Sequence, residues 1–220
     1  MIDQVKKELP DFDVDKHFTP SYNPWEQRMC LIPNSDFFNA IKDKSATVVT
    51  DHIEAFEENG IKLKSGDFLE ADIIVTATGL VLQNFGGVNI SVNNNPVNVS
   101  ETMTYKSLMY SDIPNFVNSF GYINASWTLK ADLTSSYLCR LIKHMDKNDY
   151  LSACPRKPLD VDETYDWLTD FSSGYIQRSL DLHPRQGSKK PWVNYQDYIK
   201  DWIDVKFSKL EDGNLIFSKD

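Results

Sequence analysis

Apolar and polar positions change their period several times along this chain of 220 residues. Val5 and Leu9 stand at helical spacing and predict a short helix up to Leu9. Residues 17–28 carry Pro20 and Pro24 among aromatic residues. That predicts an extended, packed loop, because proline fixes φ and biases the preceding residue away from helix. Asn34 or Ser35 is placed to cap a helix to about Lys42, with Phe37, Phe38 and Ile41 as its buried stripe. From Ala46 the pattern turns β-like. Residues 46–50 are rich in β-branched side chains and read as a strand. Residues 53–56, 61–64 and 68–69 follow, separated by the turn dipeptides Asn59-Gly60 and Ser65-Gly66, and predict a β-meander. Residues 72–79 form a short apolar run ending in glycine, the pattern of a strand buried on both faces.

Residues 88–92 and 97–99 flank Asn93-Asn94-Asn95-Pro96 and predict a hairpin. Residues 116–120, ended by Gly121, read as another strand. A long helix is predicted from about Ala125 to Met145. Leu129, Leu133, Tyr137, Leu141 and Met145 recur every fourth residue, with Leu138 and Ile142 beside them, and Asn124 or Ser126 is placed as N-cap. Beyond Cys154-Pro155 the Trp- and Tyr-rich residues 160–205 predict two or three short helices, interrupted by a basic loop over 183–192. Together these patterns predict an α/β fold.

Composition narrows the chemistry. The chain is 41% hydrophobic, 25% charged and 12% aromatic, ordinary for a globular protein rich in core material. With 23 basic and 32 acidic residues its net charge is −9, a poor match to nucleic acid or an anionic membrane surface. No apolar run reaches the ~18 residues of a membrane-spanning helix, and the first residues lack a signal-peptide core. Cys30, Cys139 and Cys154 form neither a disulfide framework nor a zinc pattern, and His17, His52, His144 and His183 do not stand at metal-ligand spacing. A cytoplasmic, reduced protein without a metal is expected. No phosphate-binding glycine loop and no Gly-x-Ser-x-Gly elbow is present.

Four places hold candidate chemistry, each with a plain structural alternative. The run over 71–80 ends in small residues and Gly79, where a cofactor or another backbone can approach closely; the alternative is a core strand and a glycine turn. Gly121, a short loop and a long helix would aim a helix N-terminus at an anionic group; the alternative is an ordinary connection. Arg28 supplies a permanent, planar cation after a Pro- and Trp-rich loop; the alternative is a surface arginine paired with Asp36 or Glu26. In the loop 185–192, Arg185, Lys189 and Lys190 suit phosphates and Trp192 suits a ring; the alternative is a solvated turn with Trp192 as a core anchor.

The stretches Pro20-Ser21-Tyr22-Asn23-Pro24-Trp25-Glu26-Gln27-Arg28-Met29-Cys30, 71–80, Gly121-Tyr122-Ile123-Asn124-Ala125-Ser126-Trp127-Thr128-Leu129-Lys130 and 184–192 occur in this order. Together they resemble the C-terminal part of flavin-containing Baeyer–Villiger monooxygenases, in particular the ethionamide-activating subgroup. The resemblance covers essentially the whole chain. Its Asn-Ala-Ser-Trp-Thr-Leu-Lys and Arg-Gln-Gly-Ser-Lys stretches are far more specific than the Ala-Thr-Gly motif.

The resemblance implies an FAD- and NADPH-dependent enzyme that inserts one atom of O₂ into ketones, or adds it to sulfur, through a C4a-peroxyflavin. It implies that Arg28 is the active-site arginine. Thr78, Gly79 and Leu80 would return the chain from the NADPH domain to the FAD domain. Asn124, Ala125, Ser126, Trp127 and Thr128 would lie near the flavin ring, with Lys189 and Trp192 in a segment closing over nicotinamide. The expected layout is the remainder of an NADPH-binding domain over 1–76, the closing part of an FAD-binding domain over 77–150, and a helical extension over 151–220. Both glycine-rich dinucleotide fingerprints are absent from the sequence. The chain is therefore expected to be a C-terminal fragment, with exposed apolar faces, poor solubility and little FAD affinity of its own. A non-catalytic remnant, or a module needing a partner that supplies the FAD-binding half, is the alternative. A disulfide reductase is a third reading, disfavoured by the lack of a redox cysteine pair.

Overall fold

The computed structural model describes residues 1–23, 26–27, 32–123, 125–159, 161–164 and 173–220. It divides into two compact units, Met1–Thr78 and Gly79–Asp220.

In the first unit, α1 (Ile2–Glu8) and α2 (Val14–His17) pack beside α3 (Asp36–Lys42). The Asp13 carboxylate accepts from the Lys16 amide at 3.1 Å and caps α2. Leu9, Val14 and Ile41 form a small core, with Phe12, Phe18 and Phe38 against it. Of the predicted α3 stripe, Ile41 is buried and Phe37 is exposed. The predicted meander is present as β1 (Ile53–Glu57), β2 (Gly60–Leu63) and β3 (Phe68–Glu70), antiparallel in that order.

Two predicted strands are corrected. Residues 46–50 and 72–79 form no ladder, and Ile73 and Val75 are 82% and 84% exposed. An apolar run becomes a buried strand only where neighbouring strands supply hydrogen-bond partners and a covering layer. Among the described residues no strand pairs with this run.

In the second unit, β4 (Ser91–Val92) and β5 (Asn95–Pro96) make the predicted hairpin, shorter than expected. Asn93 and Asn94 turn at φ 51° and 65°, the double left-handed step that asparagine tolerates. β6 (Thr104–Tyr105) pairs with β7 (Met109–Tyr110). The strand expected at 116–120 is corrected to a single bridge between Val117 and Met109. The long helix is α4 (Trp127–Asn148), ended by Asp149 in the left-handed conformation. Leu133, Tyr137 and Leu141 are buried as the periodicity requires, whereas Leu129 and Ile142 are exposed.

The chain after α4 holds strands as well as helices. β8 (Ser152–Pro155) pairs with β11 (Leu215–Ser218), and β9 (Glu163–Thr164) with β10 (Gln186–Gly187). α5 (Gly174–Gln177) is short, and α6 (Tyr198–Phe207) packs on α4. The resulting core joins Met103, Tyr105, Leu133, Tyr137, Val205 and Leu215. Every pairing between described strands is antiparallel. The architecture is mixed α/β, with small sheets in both units and one 22-residue helix in the second. No helix among the described residues is long and apolar enough to cross a membrane.

Candidate functional site

The start of α4 is the most exposed part of an otherwise half-buried helix. Ser126 occupies the N-cap position with extended backbone, φ −63° and ψ 130°. Its hydroxyl bonds Thr128 Oγ1 at 2.7 Å instead of capping a backbone amide. Ala125, Ser126, Trp127 and Thr128 are all exposed. A helix N-terminus left without a side-chain cap presents N–H groups and partial positive charge to whatever approaches it. The Trp127 ring packs on Phe120, centroids 5.2 Å apart, and lies directly over Gly121. A Cβ at position 121 would stand 2.1 Å from the indole, so only glycine permits this seat.

Behind that exposed turn, α4 buries a charge. Lys130 is 1% exposed, and its Nζ donates to Asp201 Oδ2 on α6 at 2.7 Å. The Tyr122 hydroxyl donates to the same oxygen at 2.8 Å. Burial lowers the Lys130 pKa, and the Asp201 carboxylate opposes that shift. Burial, and next the bond to Asp201, push the Tyr122 phenol up. The network fixes α4 to α6 and so fixes the direction in which the α4 N-terminus points.

The other predicted residues occupy separate places. Thr78 closes the first unit and is exposed. Gly79 has φ 96°, and the carbonyl of the exposed Leu80 accepts from Arg178 Nη2 at 3.4 Å. Lys189 is exposed. Trp192 is 1% exposed, with its ring edge-on to Tyr105 and its Nε1 donating to Asn214 at 3.3 Å. The indole is thus the core anchor of its loop in this conformation. Arg28 and Asn124 lie outside the described residues. Among the described residues no cluster of His, Cys, Asp or Glu could hold a metal ion.

Sequence reasoning missed a cavity of about 280 Å³ beside the α4 start. Phe85, Tyr110, Phe120 and Trp127 give it aromatic walls, and Thr104 and Ser107 line it with their hydroxyl oxygens buried. Its residues come from positions as far apart as Leu82 and Asn194, so no local motif announces it.

Comparison with known proteins finds homologues of this chain. The FAD-containing monooxygenase EthA of Mycolicibacterium smegmatis is 46% identical over 220 residues, which are 100% of this chain and 44% of EthA. The chain is a homologue of the FAD-containing monooxygenases. A probable FAD-binding monooxygenase, AlmA of Acinetobacter sp, is 48% identical over 93% of this chain and 41% of its own length. A putative FAD-containing monooxygenase, MymA of Mycobacterium tuberculosis, is 45% identical over 92% of this chain and 41% of its own length. The chain thus spans less than half the length of these curated relatives, matching their C-terminal part. No family model matches the chain. No solved structure matches it either.

Proposed function

We propose that this polypeptide is the C-terminal part of an FAD- and NADPH-dependent monooxygenase. It inserts one oxygen atom from O₂ into ketones, in Baeyer–Villiger fashion, or adds it to sulfur. The observation that carries the reading is the 46% identity to EthA across the whole chain. Its layout is the remainder of an NADPH-binding domain over 1–76, the closing part of the FAD-binding domain over 77–150, and a C-terminal extension over 151–220. Bound FAD, reduced by NADPH, supplies the activation of O₂.

The chain's own residues have definite work in this reading. The exposed turn Ala125, Ser126, Trp127 and Thr128 fits the edge of a flat, electron-rich ring. Of the paired hydroxyls of Ser126 and Thr128, one donates to the other and the second keeps its O–H free to donate there, and the helix terminus favours negative charge. Asn124 borders the same turn in sequence. Gly79 and Leu80 lend an exposed, glycine-opened backbone for close approach. Lys189, exposed on the basic loop, pairs with an NADPH phosphate while Trp192 holds the loop's base in the core. Arg28 is the fixed cation that stabilises the negative charge developing on a ketone oxygen.

A partner polypeptide supplying the FAD-binding half belongs to the same reading. It is favoured by the apolar residues Leu80 and Val81, 72% and 62% exposed. The experiment mixes the 220-residue chain with the remaining part of EthA and follows the visible spectrum of FAD and NADPH consumption in air. Bound FAD and NADPH oxidation are expected only in the mixture. The Arg28→Ala chain should still allow flavin reduction but yield no oxygenated product. A mixture that binds no FAD would overturn the proposal.

A further inference from the structure

Gln196 stands just before α6, where Asp197 takes the N-cap and accepts from the Lys200 amide at 2.9 Å. Its backbone is left-handed, with φ 49°. That conformation is costly for a long side chain, and asparagine or glycine adopts it more readily. The glutamine side chain makes a bond that neither would reach to make. Its Oε1 accepts from the backbone amide of Ile123 at 2.9 Å, across 73 positions of sequence. Ile123 lies two residues ahead of the exposed turn 125–128.

The carboxamide is braced from behind. Gln196 Nε2 donates to Asn194 Oδ1 at 3.2 Å, and the Gln196 backbone amide donates to the same oxygen at 3.4 Å. The Asn194 backbone amide in turn donates to Gln186 Oε1 at 2.7 Å. Asn194 and Gln186 are 8% and 5% exposed. Gln186 belongs to β10 and stands opposite Thr164 on β9. Three uncharged side chains thus run from a β-ladder to the loop that leads into α4. A carboxamide suits the last place because it donates at one end and accepts at the other, so the bond to Asn194 turns Oε1 toward Ile123.

Three successive residues ahead of α4 are each tied down. Gly121 lies under the Trp127 ring. The Tyr122 hydroxyl donates to Asp201. The Ile123 side chain packs with Phe120 and Leu180 against Ile176, and its amide donates to Gln196. The tie at Ile123 grips the backbone and stands nearest the exposed turn. A peptide unit is planar, so fixing its N–H fixes the plane and the direction in which the chain continues.

We propose that Gln196 is a positioning residue: its carboxamide, braced by Asn194 and Gln186, sets the peptide plane at Ile123 and with it the aim of the turn 125–128 toward FAD. The proposal rests on the flavin reading of that turn. A turn already held in its bound conformation avoids the ordering cost of binding, so loosening it weakens the ligand without removing a ligand contact.

Three variants separate aim from stability. Gln196→Asn shortens the side chain by one methylene, and asparagine tolerates the left-handed backbone better, which offsets the lost bond. Its melting temperature is therefore expected to hold. Gln196→Met keeps the length and loses the acceptor. Gln196→Glu keeps both the length and an acceptor oxygen. Hydrogen–deuterium exchange over 121–128 is followed on the 220-residue chain without FAD. FAD affinity is measured by flavin fluorescence on each chain complemented by the rest of EthA. The Gln196→Asn and Gln196→Met chains should exchange faster over 121–128 and bind FAD about five-fold more weakly, the effect of one neutral hydrogen bond. The Gln196→Glu chain should return both readouts to the wild-type values. Unchanged exchange in the first two variants would overturn the proposal, as would faster exchange with FAD affinity unchanged, or a Gln196→Glu loss as large as that of Gln196→Met. A complemented wild type that binds no FAD would overturn the flavin reading itself, and the proposal with it.

Discussion

Replacing Asp201 by leucine should destabilise the second unit as much as truncating a large buried apolar side chain. Asp201 is 4% exposed, and it faces a lysine that is 1% exposed at 2.7 Å. With the carboxylate gone, Lys130 remains buried without its counter-charge, and Tyr122 loses the acceptor it reaches at 2.8 Å. Breaking a buried pair by removing one partner costs about 3–5 kcal/mol. At roughly 2–4 °C per kcal/mol for a chain of this size, the melting temperature should fall by about 10 °C. Lys130→Met should cost less, because the Tyr122 hydroxyl still satisfies the remaining carboxylate. The paired change Lys130→Met with Asp201→Leu should recover most of that loss, since apolar groups of similar volume replace a buried ion pair at little cost, leaving the about 1–3 kcal/mol of the Tyr122 hydroxyl that still lacks its acceptor. Guanidinium unfolding followed by far-UV circular dichroism measures all four proteins and yields the coupling energy directly. Additive single effects, or an Asp201→Leu cost below about 1 kcal/mol, would refute the account of a desolvated pair.

Two further outcomes follow from the site's surroundings. Gly121→Ala would place a methyl 2.1 Å from the Trp127 ring and evict it, at about 1–3 kcal/mol, shifting Trp127 emission to the red. Comparison with a Trp127→Phe protein isolates that signal, and an unshifted spectrum would contradict the stacking. His183 is 3% exposed, and burial holds its pKa below 6.5. The unfolded chain therefore binds its proton first on acidification, so stability is complete above about pH 6.5 and falls below it. His183→Gln should flatten that slope, and an unchanged slope would place the dependence elsewhere.

The sequence made some of this legible and hid the rest for physical reasons. Helix α4 was readable because Leu133, Tyr137 and Leu141 repeat along the side that the core buries. The same pattern could not show that Lys130 and Thr134 share the buried side, since polar residues read as solvent-facing until their partners are known. Asp201, the partner of Lys130, lies 71 positions away. On α6 the expected polarity is inverted. Asp201 and Val205 are buried while Ile199, Ile203 and Phe207 face outward. The run Ile73-Ile74-Val75 carries the composition of a buried strand, but composition records a preference for burial and not the presence of the strand that would provide it. The Asn93-Asn94 turn was readable because its chemistry is local. The cavity was not, because its lining comes from positions as far apart as Leu82 and Asn194, which only folding assembles.

In the proposed function the exposed turn at the start of α4 lies against FAD. Hydrogen–deuterium exchange, with and without FAD, on the chain complemented by the rest of a relative reads that contact amide by amide. The prediction is slowed exchange of the amides at 125–128 and along the first turn of α4 when FAD is added. Protection confined to other segments, with these amides exchanging as fast as before, would contradict it.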